Sequence, residues 1–395
     1  MTCPLHRRYR GANSHGATHL PDRITARVAI VGSGPTGAAA ALALLQRGVE
    51  DVALLDSHEF PRDKTCGSGL SPRAIEVLQQ LEVWDEDVKP IAYPIRGLRI
   101  VTRRGREAYV SADDHDSAAV CLRHDFDYAL HRAALRRGAR FVPLFKARDG
   151  IVEERPGGSR WVGVRAADGR EVRADFVVIA NGAHATLTLD SRPKRVIHTI
   201  MGWWEGVPFR PHHVEMIWDD LVLPCYGWLF PESDTRVNIG ITYDDDDHRK
   251  NARALFERFL DRHYRERLAG ARALRPWCGF PIVYRYRPQR LSSPGRLVAG
   301  EAGRLTHPAT GEGISQGMDS ALFAAEAIAD VLAGRSSEPE ALRRYDRRCA
   351  RRFLPSFWLG RAFRGALRTP LLDGIVAATS RPAVQRAAAR FLAHF

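Results

Sequence analysis

Residues 28–37 read Val28-Ala29-Ile30-Val31-Gly32-Ser33-Gly34-Pro35-Thr36-Gly37. An apolar run of strand character meets three glycines spaced G-x-G-x-x-G. An alanine-rich segment of helical character follows, Ala38 to Arg47, and stops at Gly48. A second apolar run, Val52 to Leu55, ends in Asp56, 24 residues after Gly32. Strand, helix, strand and acid together make a βαβ dinucleotide half-site. Gly32 permits the tight turn, Gly34 lets backbone approach a pyrophosphate, and Gly37 lets helix pack on strand. The helix N-terminus offers unpaired N–H groups and a positive dipole end to phosphates. Pro35 suits the first helical turn, where its missing N–H would have no partner. Asp56 can accept a hydrogen bond from a ribose 2′-hydroxyl. The pattern specifies a dinucleotide, not which one.

A chain of 395 residues holds one large or two ordinary domains. Net charge is +13, but the cations are almost all Arg, with five Lys, and they are spread along the chain. No helix-turn-helix, zinc-finger or RNA-binding signature accompanies them, so nucleic acid is not the expected partner. The six cysteines, Cys3, Cys66, Cys121, Cys225, Cys278 and Cys349, show no C-x-x-C pair and no metal-like grouping with His. That favours a reduced, cytoplasmic setting over a disulfide framework. No run approaches the roughly 20 apolar residues of a membrane span. The first 22 residues, polar and rich in Gly, His and Arg, read as a flexible extension without a signal-peptide core.

Downstream, residues 57–72 are too rich in Gly and Pro for helix or strand. A helix is expected from Pro72 to Leu81, a hairpin over 95–111 around Gly105, and an amphipathic helix from Asp125 to Arg137, closed by Gly138. Residues 140–180 read as strand, loop, hairpin and strand. Between 195 and 245 the chain changes character, with short strands rich in Trp, Tyr and β-branched residues. These predict an antiparallel sheet, a separate substrate-facing layer. A charged helix over 249–272, a short buried strand at Leu297–Gly300 and a long helix from Gly313 to Leu332 follow. The tail, 338–395, is helical and basic, with Phe353, Leu354, Phe357, Trp358 and Leu359 clustered.

Five segments, taken together, resemble the geranylgeranyl reductase group of FAD-dependent oxidoreductases, in the p-hydroxybenzoate hydroxylase superfamily. They are the fingerprint with Asp56; Asp63-Lys64-Thr65-Cys66-Gly67-Ser68-Gly69-Leu70-Ser71-Pro72-Arg73-Ala74; Arg123 with Phe126-Asp127; Tyr226-Gly227-Trp228-Leu229-Phe230-Pro231; and Gly300 through Ile314. Order and spacing match over about 20–335, and the second segment is similar to bacterial reductases of the menaquinone isoprenoid chain. The resemblance implies an α/β fold, α+β overall: a Rossmann-like FAD-binding domain with an inserted antiparallel-sheet substrate domain and a helical C-terminal tail. The expected division is 1–22 extension; 23–90, 115–190 and 290–335 for FAD; 91–114 and 191–289 for substrate; and 336–395 as the tail.

The resemblance also assigns residues. Gly32, Ser33, Gly34, Pro35, Gly37 and Asp56 would hold the ADP half of FAD, with Arg123 near the pyrophosphate or adenosine. Cys66 and Gly67 would pass the flavin ring. Gly311, Gly313 and Ile314 would bring a helix N-terminus to its pyrimidine side. Glu301 stands where the family has an Asp that binds the ribityl chain. Tyr226, Trp228 and Phe230 alternate, so they share one side of a strand. They form either an aromatic core stripe or the wall of a cavity for a long apolar substrate. Cys66 is either a small buried apolar residue or, with Tyr226, a proton source for the substrate. Asp113, Asp114, His115 and Asp116, like Asp244–His248, are consecutive rather than ligand-spaced, and read as solvated loops without a metal.

The expected activity is hydride transfer to a carbon–carbon double bond of an isoprenoid or polycyclic substrate. The alternatives are an aromatic hydroxylase and a non-catalytic prenyl-binding protein of the same fold. With one dinucleotide fingerprint, NAD(P)H would visit transiently, or a separate donor protein would supply electrons. For the basic tail three roles stay open: peripheral contact with a membrane, a cap on the cavity, or packing on the core.

Overall fold

The computed structural model describes residues 23–111, 118–190, 195–246, 249–285, 289–369, 373–374 and 376. Two sheets organise them. The fingerprint strand, Arg23–Val31, lies at the centre of the first, between Glu171–Ile179 and Val52–Leu55, parallel to both. Arg296–Val298 and Arg140–Val142 extend the parallel array on either side. Val28, Ala29 and Ile30 are buried on both faces, which is why their run is continuously apolar rather than alternating. An antiparallel ribbon, Ala147–Arg155 and Gly158–Ala166, continues from the 171–179 strand. This sheet therefore gathers strands from near residues 30, 54, 141, 175 and 297.

Six α-helices are described: α1 (Pro35–Gln46), α2 (Pro72–Gln80), α3 (Arg123–Arg136), α4 (Ala252–Leu268), α5 (Ile314–Leu332) and α6 (Glu338–Ala366). α1 is buried from Gly37 to Leu44, and its small side chains let it sit in one core with α3, α5 and α6. The α2 start follows the sequence signal closely. Ser71 caps it, accepting a hydrogen bond from the Ala74 amide at 3.2 Å, and Pro72 opens the first turn.

The second sheet runs in the order 272–278, 195–205, 236–243, 227–231, 213–217, 97–101, 107–111. α4 covers one face, with Phe256, Phe259 and Tyr264 against Leu229, Ile239 and Ile241. The opposite face carries Met201, Trp203, Trp218, Tyr226 and Trp228. The sheet is not wholly antiparallel as expected. His213–Ile217 runs parallel to Gly97–Val101, because the 97–111 hairpin joins from far away in the chain and the long connection leaves direction free.

The aromatic cluster of the tail divides between two faces of α6. Phe353 and Phe357 face the core, whereas Trp358 and Leu359 point out, 57% and 49% exposed. A helix separates residues one apart by about 100°, so neighbours in sequence part company. The 1–22 extension, Asp113–Asp116, Asp247, His248 and the end of the tail lie outside the described residues.

Candidate functional site

The strand at 23–31 ends in Gly32, whose φ of +101° turns the chain into α1. A Cβ there would meet the Ala180 carbonyl oxygen at 2.7 Å. Gly34 is the α1 N-cap and offers no side chain to the first amides, and no acidic residue lies in the first turn. Those N–H groups and the dipole end remain available to an anion. Asp56 stands beside them. It accepts hydrogen bonds from the Ser33 amide at 2.9 Å and the His58 amide at 3.0 Å. Burial works to raise the Asp56 carboxyl, but His58, Arg62 and these amides hold it below the usual carboxylate range.

Behind this loop lies a charged cluster. Arg123 grips Asp127 with both arms, at 2.6 and 2.8 Å, and both residues are buried. Arg62 adds a third contact to Asp127 at 2.9 Å and lies 3.7 Å from Asp56. A Cβ on Gly34 would come within 3.3 Å of Arg62 and 3.9 Å of Arg123. The Asp127 carboxylate lies between them, 3.8 Å from the same point, so Gly34 leaves the α1 N-terminus facing both guanidinium groups and their shared carboxylate. Burial works to raise the Asp127 carboxyl, but Arg123, Arg62 and Lys64 hold it well ionised.

Ser33 also reaches His131 on α3, Oγ to Nδ1 at 2.8 Å, and the imidazole stacks on Phe60 at 4.3 Å. Burial pushes His131 down to about 4. An unfolded His binds its proton near pH 6.5. The stability tied to His131 is therefore complete above that value and is lost as pH falls toward about 4. In urea titrations the wild-type midpoint should fall between pH 7 and pH 5 more than that of His131→Gln. An equal fall in both proteins would show that His131 is not the group responsible.

The Cys66 loop is tied to both layers. Arg62 joins it to α3, Asp63 meets Arg275 at 2.5 Å, and Lys64 lies 3.6 Å from Glu301 and over the Phe280 ring. At its exit the Ser71 hydroxyl donates to Glu312. Within the loop the Cys66 sulfur accepts from the Ser68 amide at 3.3 Å and interacts with the Arg123 guanidinium. Gly67 packs against the aromatic strand: a Cβ there would lie 3.3 Å from the Phe230 ring and 3.4 Å from the Trp228 Nε1. Gly69 meets the same Phe230 ring.

Trp228 is fixed by donating to Asn238 at 2.7 Å, and Asn238 in turn donates to the Gly202 carbonyl. The Tyr226 hydroxyl donates to the Thr310 carbonyl, joining the aromatic strand to the loop before α5. Gly313 caps α5 without a side chain, so this second helix N-terminus is also open, with Ile314 its first residue. Gly311 has φ +69°, the left-handed region that glycine tolerates. Glu312 is half-buried there. Burial raises its carboxyl, and donors from Ser71, Ser315 and Gln316 oppose that shift. Glu301 already accepts the Val283 amide at 3.0 Å on one oxygen and faces Lys64 with the other.

Two bare helix N-termini, a glycine cradle and paired guanidinium groups suit a dinucleotide with a pyrophosphate at α1 and an electron-rich ring at α5. FAD fits that donor set. Gly32, Ser33, Gly34, Pro35, Gly37, Asp56 and Arg123 come together at the α1 end. Gly67 meets Trp228 and Phe230 on the aromatic strand, and Tyr226 reaches the Thr310–Gly311 turn that leads to Gly313 and Ile314 at the start of α5. Arg62, Lys64, Ser71 and Glu312 carry much of the construction, and no sequence motif assigns them a role. The one hint is their place in a Gly/Pro loop, where charges otherwise read as solvated.

The FAD binding domain family model matches residues 25–353. A menaquinone reductase of Mycobacterium tuberculosis is 31% identical over 329 residues, covering 77% of this chain and 76% of that protein. Digeranylgeranylglycerophospholipid reductase 2 of Methanopyrus kandleri is 27% identical over 362 residues, covering 86% and 85%. A geranylgeranyl bacteriochlorophyll reductase-like crystal structure from Thermoplasma acidophilum superposes with a TM-score of 0.79 at 21% identity, covering 90% and 91% of the two chains. The chain belongs to the FAD-binding-domain family that contains the menaquinone reductases, and it is an FAD-dependent oxidoreductase.

Proposed function

We propose that this oxidoreductase reduces a carbon–carbon double bond in the isoprenoid chain of a hydrophobic substrate, as the names of its reductase relatives suggest. The observation that carries the reading is the packing of Gly67, the residue after Cys66 in the chain, on Trp228 and Phe230. It brings the Cys66 loop against two aromatic rings. FAD, when bound, supplies the hydride, with NAD(P)H or a donor protein as the transient source of electrons.

The chain's own residues do the rest. Gly67 and Gly69 let the loop pack closely on the Trp228 and Phe230 rings. Trp228 is locked by Asn238 and gives a rigid wall at little entropy cost. The Tyr226 proton is committed to the Thr310 carbonyl, and burial raises the phenol further. Tyr226 is thus suited to positioning the α5 loop. Cys66, held by the Ser68 amide, is the proposed proton donor to the other carbon of the double bond.

The test uses purified holoprotein, reduced without oxygen and mixed with a prenylated quinone. Cys66→Ser should slow turnover roughly 100-fold, the lower range for general acid catalysis, with FAD content unchanged. Tyr226→Phe should retain the reaction and lose about 1 kcal/mol of stability through the unpaired carbonyl. Unchanged turnover in Cys66→Ser would remove the thiol from the proton path.

A further inference from the structure

α6 spans 29 residues and shows two unlike sides. Its inner side, Tyr345, Cys349, Phe353, Phe357, Gly360 and Arg364, is buried. The outer side is a single stripe. At 100° per residue, Arg343, Arg347, Arg351, Trp358 and Arg361 fall within about 80° of one another. All five are exposed, and Leu359 flanks them. From 343 to 368 the chain has nine Arg and one acidic residue, Asp346. Arg344, Arg348, Arg352 and Arg364 are neutralised by Asp330, Glu326, Asp319 and Asp244. Arg343, Arg347 and Arg351 form no ion pair among the described residues.

The inner side of the same helix touches the candidate site. Phe357 packs edge-on against His307, with ring centroids 5.7 Å apart. A Cβ on Gly360 would reach the His307 ring at 2.8 Å, and Arg364 donates to the Pro308 carbonyl at 2.9 Å. The turns that expose Trp358 and Leu359 are therefore the ones that back the loop leading into α5.

We propose that the outer stripe of α6 is a docking surface for an anionic lipid membrane. Unpaired arginines at one end, with an exposed Trp and Leu toward the other, are the composition of a helix that lies in the headgroup layer. The Arg side chains meet lipid phosphates, and Trp358 and Leu359 enter the boundary with the acyl chains. The surface goes beyond the proposed reaction and stands without it, since it needs no isoprenoid.

The experiment is co-sedimentation of full-length holoprotein with vesicles of phosphatidylglycerol in phosphatidylcholine, against phosphatidylcholine alone. Binding is expected on the anionic vesicles and should weaken at high salt. Each arginine should contribute roughly fivefold, so Arg343→Gln/Arg347→Gln/Arg351→Gln should weaken binding about 100-fold. Trp358→Ser/Leu359→Ser should remove the salt-resistant remainder. FAD absorbance and melting temperature confirm folding of each variant. No binding to anionic vesicles, or binding that both variants retain in full, would overturn the proposal. So would a protein that ignores vesicles and binds a soluble acidic protein through these arginines.

Discussion

Gly37→Ala is expected to leave a protein that does not retain FAD and is at least about 3 kcal/mol less stable. The reason is a backbone approach. A Cβ on residue 37 would run into the Gly32 carbonyl oxygen and lie 3.3 Å from the Ile30 side chain. Neither neighbour can yield. Gly32 is held in its left-handed turn against Ala180, and Ile30 lies in the central strand with no exposed surface. Moving α1 away would withdraw its N-terminus from the phosphate position. Gly365→Ala is the control, because a Cβ there meets nothing within 4 Å, and Ala favours a helix by up to about 1 kcal/mol. The ratio of flavin to protein absorbance and the thermal midpoint read both effects. A yellow, stable Gly37→Ala protein would refute the close-packing argument.

Arg123→Ala should cost about 3 kcal/mol, because it strands the Asp127 carboxylate without its bidentate partner. Asp127 has no exposed surface, and Arg62 remains as a single compensating contact. The double variant Arg123→Ala/Asp127→Ala should recover part of that loss, since a buried pair removed together leaves no orphan charge. The pH dependence has a fixed sign. A depressed carboxyl contributes stability that is present above the unfolded value near 3.9 and is lost as pH falls through the folded value. Without Arg123 the Asp127 carboxyl is less depressed, so acid unfolding should move to higher pH. FAD affinity should fall in both variants, since Arg123 borders the space that Gly34 leaves open. If the single variant were as stable as wild type, the cluster would be a solvated pair rather than a buried anchor.

Local signals carried much of this architecture. The fingerprint, Ser71-Pro72 and the Gly311–Ile314 turn all act within a few residues, so their elements can be read directly from the chain. Pairing between distant segments cannot. Nothing in Gly97–Val101 or His213–Ile217 alone says that the two strands run parallel. Lone charges were the other blind spot. Nothing local in Arg62, Lys64 or Asp127 shows that folding brings them to one place, where Arg62 bridges Asp56 and Asp127. Glu312 looks like part of a glycine loop, yet it joins that loop to the Ser71 cap of α2. The split of the α6 aromatics into buried Phe353 and Phe357 and exposed Trp358 was within reach of helical periodicity, but the sequence alone left open which face met the core.

The central claim is reduction of an isoprenoid double bond, and product mass tests it most directly. Holoprotein is reduced under strictly anaerobic conditions and incubated with a polyprenyl menaquinone, and the lipid is then extracted and weighed by mass spectrometry. The account predicts a product heavier by two hydrogens, formed without oxygen and in step with flavin reoxidation. An unchanged lipid, with flavin reoxidised only when oxygen is admitted and an aromatic substrate gaining an oxygen atom, would contradict it.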